Sequence, residues 1–89
     1  MKNKVTDKIV FYGTQWCGDC SHSRHLMDDM GIEYDEIDID HNEQAAEMVI
    51  KINNGFRSVP TIVFPDGSML VEPSNLELAK KLENYYSKN

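Results

Sequence analysis

Cysteine is scarce: the chain of 89 residues has two, Cys17 and Cys20, which excludes a secreted scaffold held by several disulfides. Proline occurs three times and glycine five times, too few for a collagen-like or low-complexity chain. Basic residues number 9 against 15 acidic, a net charge of −6. Phosphate backbones are bound mainly by clustered Lys and Arg, so no nucleic-acid partner is expected. No apolar run exceeds four residues (Ile9 to Tyr12), so no membrane-spanning segment is expected. Met1–Asp7 carries two lysines with no apolar stretch behind them, unlike a secretory signal, and the expected location is the cytoplasm. What is present, 40% apolar and 27% charged residues, suits one hydrophobic core. The expectation is a single domain over residues 1–89, working as a monomer.

Punctuation along the chain predicts an α/β order. Lys8 to Tyr12 is β-branched and aromatic and stops at Gly13, as a strand buried on both faces would. From Gly18 to Met30 the positions Leu26, Met27 and Met30 share a helical face, Met27 and Met30 being read as core, and Gly31 follows as the cap. Tyr34 to Asp40 alternates, with Ile37 and Ile39 on one side and Tyr34, Glu36, Asp38 and Asp40 on a wet one. That pattern fits a sheet edge. The acidic run is read as solvated, without a function. A second helix is predicted from Glu43 to Asn53 and a third strand from Val59 to Phe64. A turn at Pro65-Asp66-Gly67 and a fourth strand from Ser68 to Val71 follow. Ser74 and Glu77 match a capping box, opening a last helix that ends near Tyr86. The economical arrangement is a four-stranded mixed sheet with helices on both faces, the first two strands parallel.

Chemistry concentrates in Trp16-Cys17-Gly18-Asp19-Cys20, between a strand and a helix. A sulfur at the helix N-cap meets unpaired amides and the positive end of the dipole, both of which favour thiolate. Cys20, one helical turn on, can reach that sulfur. Cys17 is therefore read as the nucleophile and Cys20 as the resolving partner. Gly18 and Asp19 are expected to tune the redox poise, the Asp19 charge opposing the thiolate. Zinc is not expected: the candidate ligands are His22, His25 and His41, and His22 and His25, two and five residues past Cys20, do not follow the usual ligand spacing. His22 and His25 are read as solvated helix residues. Trp16 is open to two readings, a core aromatic or a flat surface beside the reacting sulfur.

Together these residues resemble the glutaredoxin family, which has the thioredoxin fold. The likeness runs from Tyr12 to Cys20, through the Tyr34–Asp40 strand, Ser58-Val59-Pro60-Thr61 and Pro65-Asp66-Gly67-Ser68. It is nearest in look to the mycoredoxin-like branch, in Trp16-Cys17-Gly18-Asp19-Cys20, Asn54 to Thr61, and Asp66-Gly67-Ser68. The resemblance implies a thioredoxin-like β-α-β-α-β-β-α fold, a four-stranded mixed sheet flanked by three helices. It further implies reduction of protein disulfides, or of mixed disulfides with low-molecular-weight thiols, with no tightly bound cofactor. Pro60 would be cis beside the sulfurs, the alternative being a trans proline that opens a strand. Val59 would offer its backbone to an extended ligand. Arg57 would bind a ligand carboxylate or be a plain surface charge. Amides at Ser74 and Asn75 would hold a second carboxylate.

The chain departs from glutathione-using relatives, which usually carry Cys-Pro-Tyr-Cys, a lysine where Thr14 stands and a glycine pair where Glu72-Pro73-Ser74-Asn75 stands. Its Asp before the second cysteine is shared with thioredoxin-related proteins bearing Trp-Cys-Pro-Asp-Cys. The expected electron source is mycothiol, glutathione or another small thiol, or an NADPH-dependent flavin reductase. Two other readings stay open here: an iron–sulfur or metal carrier of the glutaredoxin type, and a redox-sensing adaptor.

Overall fold

The structure, a computed structural model, describes residues 8–86; the reading of Met1–Asp7 lies outside them. The elements follow as β1 (Ile9–Gly13), α1 (Gly18–Asp29), β2 (Tyr34–Asp38), α2 (Glu43–Ile52), β3 (Thr61–Val63), β4 (Met69–Val71) and α3 (Asn75–Tyr86). A single 3-10 turn, Ile39–His41, joins β2 to α2. The sheet order is β2-β1-β3-β4, so β2 is an edge strand, as its acidic pattern implied. β1 and β2 run parallel from Ile9 opposite Tyr34 to Gly13 opposite Asp38. β1 and β3 are antiparallel, as are β3 and β4. This is the mixed sheet with three helices that the sequence order predicts.

The alternation along the strands divides the core in two. Ile9 and Phe11 of β1 and Ile62 of β3, with Phe64 just beyond β3, pack against Cys20 and Met27 of α1 and Leu78 and Leu82 of α3. On the opposite face Tyr12 and Ile37 meet Ile39, Ala45 and Val49. The ten-residue α2 alone covers that second face. Val10 and Tyr12 are therefore only half-buried, and β1 is enclosed fully on one side rather than on both.

Several boundaries shift for local reasons. β2 ends at Asp38 because the Asp38 carboxylate accepts the Asp40 amide at 2.9 Å and turns the chain, so Asp40 does not continue the strand. β3 starts at Thr61, after Pro60, which has no amide for the ladder; the Pro60 carbonyl still accepts from the Glu72 amide at 2.9 Å. Ser68 stays in the turn, where its amide and hydroxyl donate to Asp66 Oδ1 at 2.9 and 2.6 Å. Met30 is 36% exposed, while Met27 is fully buried, so only one of the two methionines is core. Tyr34 is not on a wet face: its ring lies 5.8 Å from that of Phe11 and its hydroxyl donates to Asp28. Gly31, at φ +72°, follows α1 as the capping glycine. The capping box at α3 forms reciprocally, with the Ser74 amide on Glu77 Oε1 at 3.0 Å and the Glu77 amide on Ser74 Oγ at 3.1 Å.

Candidate active site

β1 ends at Gly13, and the next four residues carry the chain across the top of the sheet to Cys17, the N-cap of α1. Cys17 has extended backbone (φ −84°, ψ 122°) and its sulfur accepts the Cys20 amide at 3.4 Å. A side chain in that position satisfies one of the orphan amides of a helix start, and here the acceptor is the sulfur itself. The Val59 carbonyl lies 3.8 Å from the same sulfur, across a chain separation of 42 residues. The Val59–Pro60 peptide is cis, so the proline expected beside the cysteines is there in the expected form. Cys17 is half-buried and Cys20 fully buried, and both are free thiols.

Burial pushes the Cys20 thiol up to about 11, and the adjacent Cys17 sulfur adds to the rise. A bond from the Thr14 backbone and the charge of Arg24 pull it back in part. Arg24 stands one turn beyond Cys20 and is fixed by three acceptors. Its Nε and Nη2 hold Glu36 Oε1 and Oε2 at 3.0 and 2.6 Å, and Nη2 reaches the Thr14 carbonyl at 3.2 Å. Glu36, assigned to a solvated run by its sequence, is thus the partner of the cation nearest the buried sulfur. Gly13 makes the room. A Cβ built there would lie 2.7 Å from Phe11 Cε1, closer than side chains tolerate, and 3.0 Å from Cys20 Sγ, a tight contact.

The rim is polar and mutually engaged. Trp16 is 70% exposed and is therefore not a core aromatic. Its indole Nε1 donates to Asp40 Oδ2 at 2.7 Å, and Arg57 Nη2 donates to Asp40 Oδ1 at 2.5 Å. Arg57 and Trp16 hold the Asp40 carboxyl below the usual carboxylate range. Asp19 and Asn75 meet through His22, whose Nε2 lies 3.3 Å from Asp19 Oδ1 and whose Nδ1 lies 2.7 Å from Asn75 Oδ1. His22 is therefore a link between the starts of α1 and α3 rather than a free solvated residue. Gly18 has open space around its Cα.

The structure brings together Trp16, Cys17, Gly18, Cys20, Val59 and Pro60, and places Arg57 at the same rim through Asp40. Two of the positions expected to grip a ligand already have partners: Arg57 holds Asp40, and the Ser74 amide holds Glu77. Asp40, Gly13 and His22 are the positions that sequence reasoning missed. A signal for Asp40 existed. It follows the carboxyl end of β2, parallel to β1, and sites of α/β sheets gather at carboxyl ends of parallel strands. The two cysteines line neither of two surface cavities, of about 470 and 460 Å³. Among the described residues no group of three or more His, Cys, Asp or Glu is placed to hold a metal ion.

Comparison with known proteins agrees with this geometry. The glutaredoxin family model matches residues 9–69, the span from β1 through the cysteines and the cis proline to the start of β4. The chain belongs to the glutaredoxin family. A Mycobacterium tuberculosis protein provisionally named a glutaredoxin is 45% identical over 78 residues, which cover 88% of this chain and 93% of that one. Mycoredoxin 1 of Corynebacterium glutamicum is 39% identical over 75 residues, covering 84% and 92%. The structure of the glutaredoxin-like NrdH-redoxin from Escherichia coli superposes with a TM-score of 0.69 at 22% identity, over 82% of this chain and 92% of that one. The fold is thioredoxin-like, as glutaredoxins have, and the segments Trp16 to Cys20 and Val59-Pro60-Thr61 face one another in it.

Proposed function

We propose that this glutaredoxin is a cytoplasmic thiol–disulfide oxidoreductase, a single domain acting as a monomer, that reduces protein disulfides or mixed disulfides with small thiols. The observation that carries the reading is the asymmetry of the pair. The sulfur of Cys17 is reachable and accepts a helix amide, while Cys20 lies fully enclosed directly behind it. In the first step the Cys17 thiolate attacks one sulfur of R–S–S–R′, forming Cys17–S–S–R and releasing R′S⁻, which takes a proton from water. In the second the Cys20 thiol gives up its proton and attacks the Cys17 sulfur. A Cys17–Cys20 disulfide forms, RS⁻ leaves, and two electrons have passed from protein to substrate.

The physics of Cys20 orders these steps. Burial and the neighbouring sulfur both hold Cys20 protonated in the reduced protein. Capture of a substrate sulfur by Cys17 removes the neighbouring negative charge, while the Thr14 backbone and Arg24 still favour the Cys20 anion. The resolving thiol thus becomes active when there is an intermediate to resolve. Val59 and Pro60 would line the substrate against the sulfur, and Trp16 would offer its exposed ring.

Reduction of the Cys17–Cys20 disulfide is assigned to a low-molecular-weight thiol, mycothiol being the one that the name of the corynebacterial relative favours. A flavin reductase drawing on NADPH is the second source, since the NrdH-redoxin from Escherichia coli is described as having a thioredoxin-like activity profile. The test is turnover of an insulin or hydroxyethyl disulfide by wild type, Cys17→Ser and Cys20→Ser, with each donor supplied in turn. Loss of activity in Cys17→Ser below a few per cent supports the assignment, and retention defeats it.

A further inference from the structure

Asp40 uses both carboxylate oxygens at the rim, one for the Trp16 indole at 2.7 Å and one for the Arg57 guanidinium at 2.5 Å. Trp16 is the residue before Cys17, and Arg57 stands two residues before Val59, whose carbonyl lies 3.8 Å from the Cys17 sulfur. One anion therefore ties together the two loops between which a captured thiol must lie. We propose that Asp40 is a specificity-determining residue that turns the Cys17 site against thiols bearing a carboxylate and in favour of thiols without one. The inference rests on the reading of the protein as a thiol–disulfide oxidoreductase and deepens it by naming the substrate class.

Charge geometry gives the reason. Arg57 is the guanidinium that could pair with a ligand carboxylate beside Val59, and its charge is already answered by Asp40. The other charged groups along this edge do not restore a positive field. Asp38 pairs with His41 at 3.0 Å, and Asp19 with His22 at 3.3 Å. A thiol carrying a carboxylate to Arg57 either brings a second anion to a cation that Asp40 already pairs with through Nη2, or displaces Asp40 and frees the Trp16 indole from its acceptor. A neutral thiol, hydroxyl-bearing or otherwise, meets no such opposition and can stack on a ring whose orientation Asp40 fixes. The low proton affinity of Asp40, set by Arg57 first and Trp16 second, keeps the anion in place at neutral pH.

The experiment uses the reduced full-length protein and one fluorescent peptide with a single cysteine, prepared as its mixed disulfide with glutathione or with 2-mercaptoethanol. Single-turnover rates of peptide release are measured for wild type, Asp40→Asn and Asp40→Asn/Arg57→Gln. Asparagine keeps the shape and an acceptor for Trp16 but removes the charge. The glutathione-to-mercaptoethanol rate ratio should rise at least ten-fold in Asp40→Asn and fall back in the double variant, where no cation is left to gain. An unchanged ratio in Asp40→Asn, or a rise that survives the loss of Arg57, overturns the proposal. Wild type gives a second readout that needs no variant. Salt screens opposition between exposed charges, so raising it from 50 to 500 mM must raise the same ratio, and a ratio that falls or stays constant also overturns the inference. Failure of wild type to release peptide from either disulfide would instead defeat the oxidoreductase reading itself.

Discussion

Gly13→Ala puts a methyl group where β1 ends against the buried sulfur. The new carbon would lie 2.7 Å from Phe11 Cε1 and 3.0 Å from Cys20 Sγ. Apolar carbons rest at about 3.5–4.0 Å, so the ring would have to retreat by roughly 1 Å. It has little freedom to do so: Phe11 is fully buried, with the Tyr34 ring at 5.8 Å and the Arg24 guanidinium at 5.5 Å. Overpacking of this kind costs about 1–3 kcal/mol. Removal of glycine's freedom from the unfolded chain returns about 0.4–1 kcal/mol of that. At the middle of both ranges the net loss is about 1.3 kcal/mol, a fall in Tm of roughly 5–10 °C for a domain of this size. Thermal unfolding of the reduced protein by circular dichroism measures it. Gly18→Ala is the control from the same motif, because a Cβ there meets nothing within 4 Å, and its Tm should move far less. A Gly13→Ala melt within about 1 °C of wild type would refute the argument that this glycine exists to seat the Cys20 sulfur.

The raised Cys20 pKa makes a pH prediction. The folded state keeps that proton up to about 11 while the unfolded chain loses it near 9.0, so the stabilisation is complete below 9 and is lost as pH rises through 11. Between pH 8 and pH 10 wild type should therefore lose about 1 kcal/mol that Cys20→Ala does not lose, read from urea midpoints, and equal losses in both would contradict it. Glu72 sits at φ +50°, a left-handed conformation unfavourable for any residue with a Cβ. Glu72→Gly should raise stability by up to about 1 kcal/mol, and a lower Tm would show that the Glu72 side chain contributes more than the backbone strain costs. Thr61, fully buried, donates to the Ser58 carbonyl at 2.8 Å and accepts from Asn53 Nδ2 at 3.1 Å, which ties α2 to the segment before Pro60. Thr61→Val keeps the volume and breaks both bonds, so it should cost about 1–3 kcal/mol in denaturant unfolding; an unchanged midpoint would remove Thr61 from that role.

What was legible in the sequence is what local rules decide. Continuous and alternating apolar patterns located β1, β2 and the helices, while the Ser74–Glu77 box and Gly31 marked two helix ends where the structure has them. The cysteine pair at a strand-to-helix junction and the Val-Pro-Thr segment were visible as residues. That they lie against each other was available only through the family resemblance; physically it follows from β3 pairing with β1, which brings Val59 to Cys17 across 42 residues. The missed positions all depend on side chains that meet across elements. Asp40 was placed on a strand face because the turn created by the Asp38 carboxylate has no periodicity to announce it. Glu36 looked solvated because its partner Arg24 belongs to another element, and Gly13 looked like simple punctuation because its neighbour is a sulfur seven residues on. Met30 shows the opposite error, where helical spacing marked a residue as core although it stands at the edge of the buried face.

The central claim is that one half-buried sulfur captures the substrate and one fully enclosed sulfur releases it. Intact-protein and peptide mass spectrometry of Cys20→Ser after brief exposure to a hydroxyethyl disulfide tests it most directly. A single adduct, located on Cys17, should accumulate in the variant and be replaced in wild type by the Cys17–Cys20 disulfide. An unmodified Cys17 in the variant, or an equally stable adduct in wild type, would contradict it.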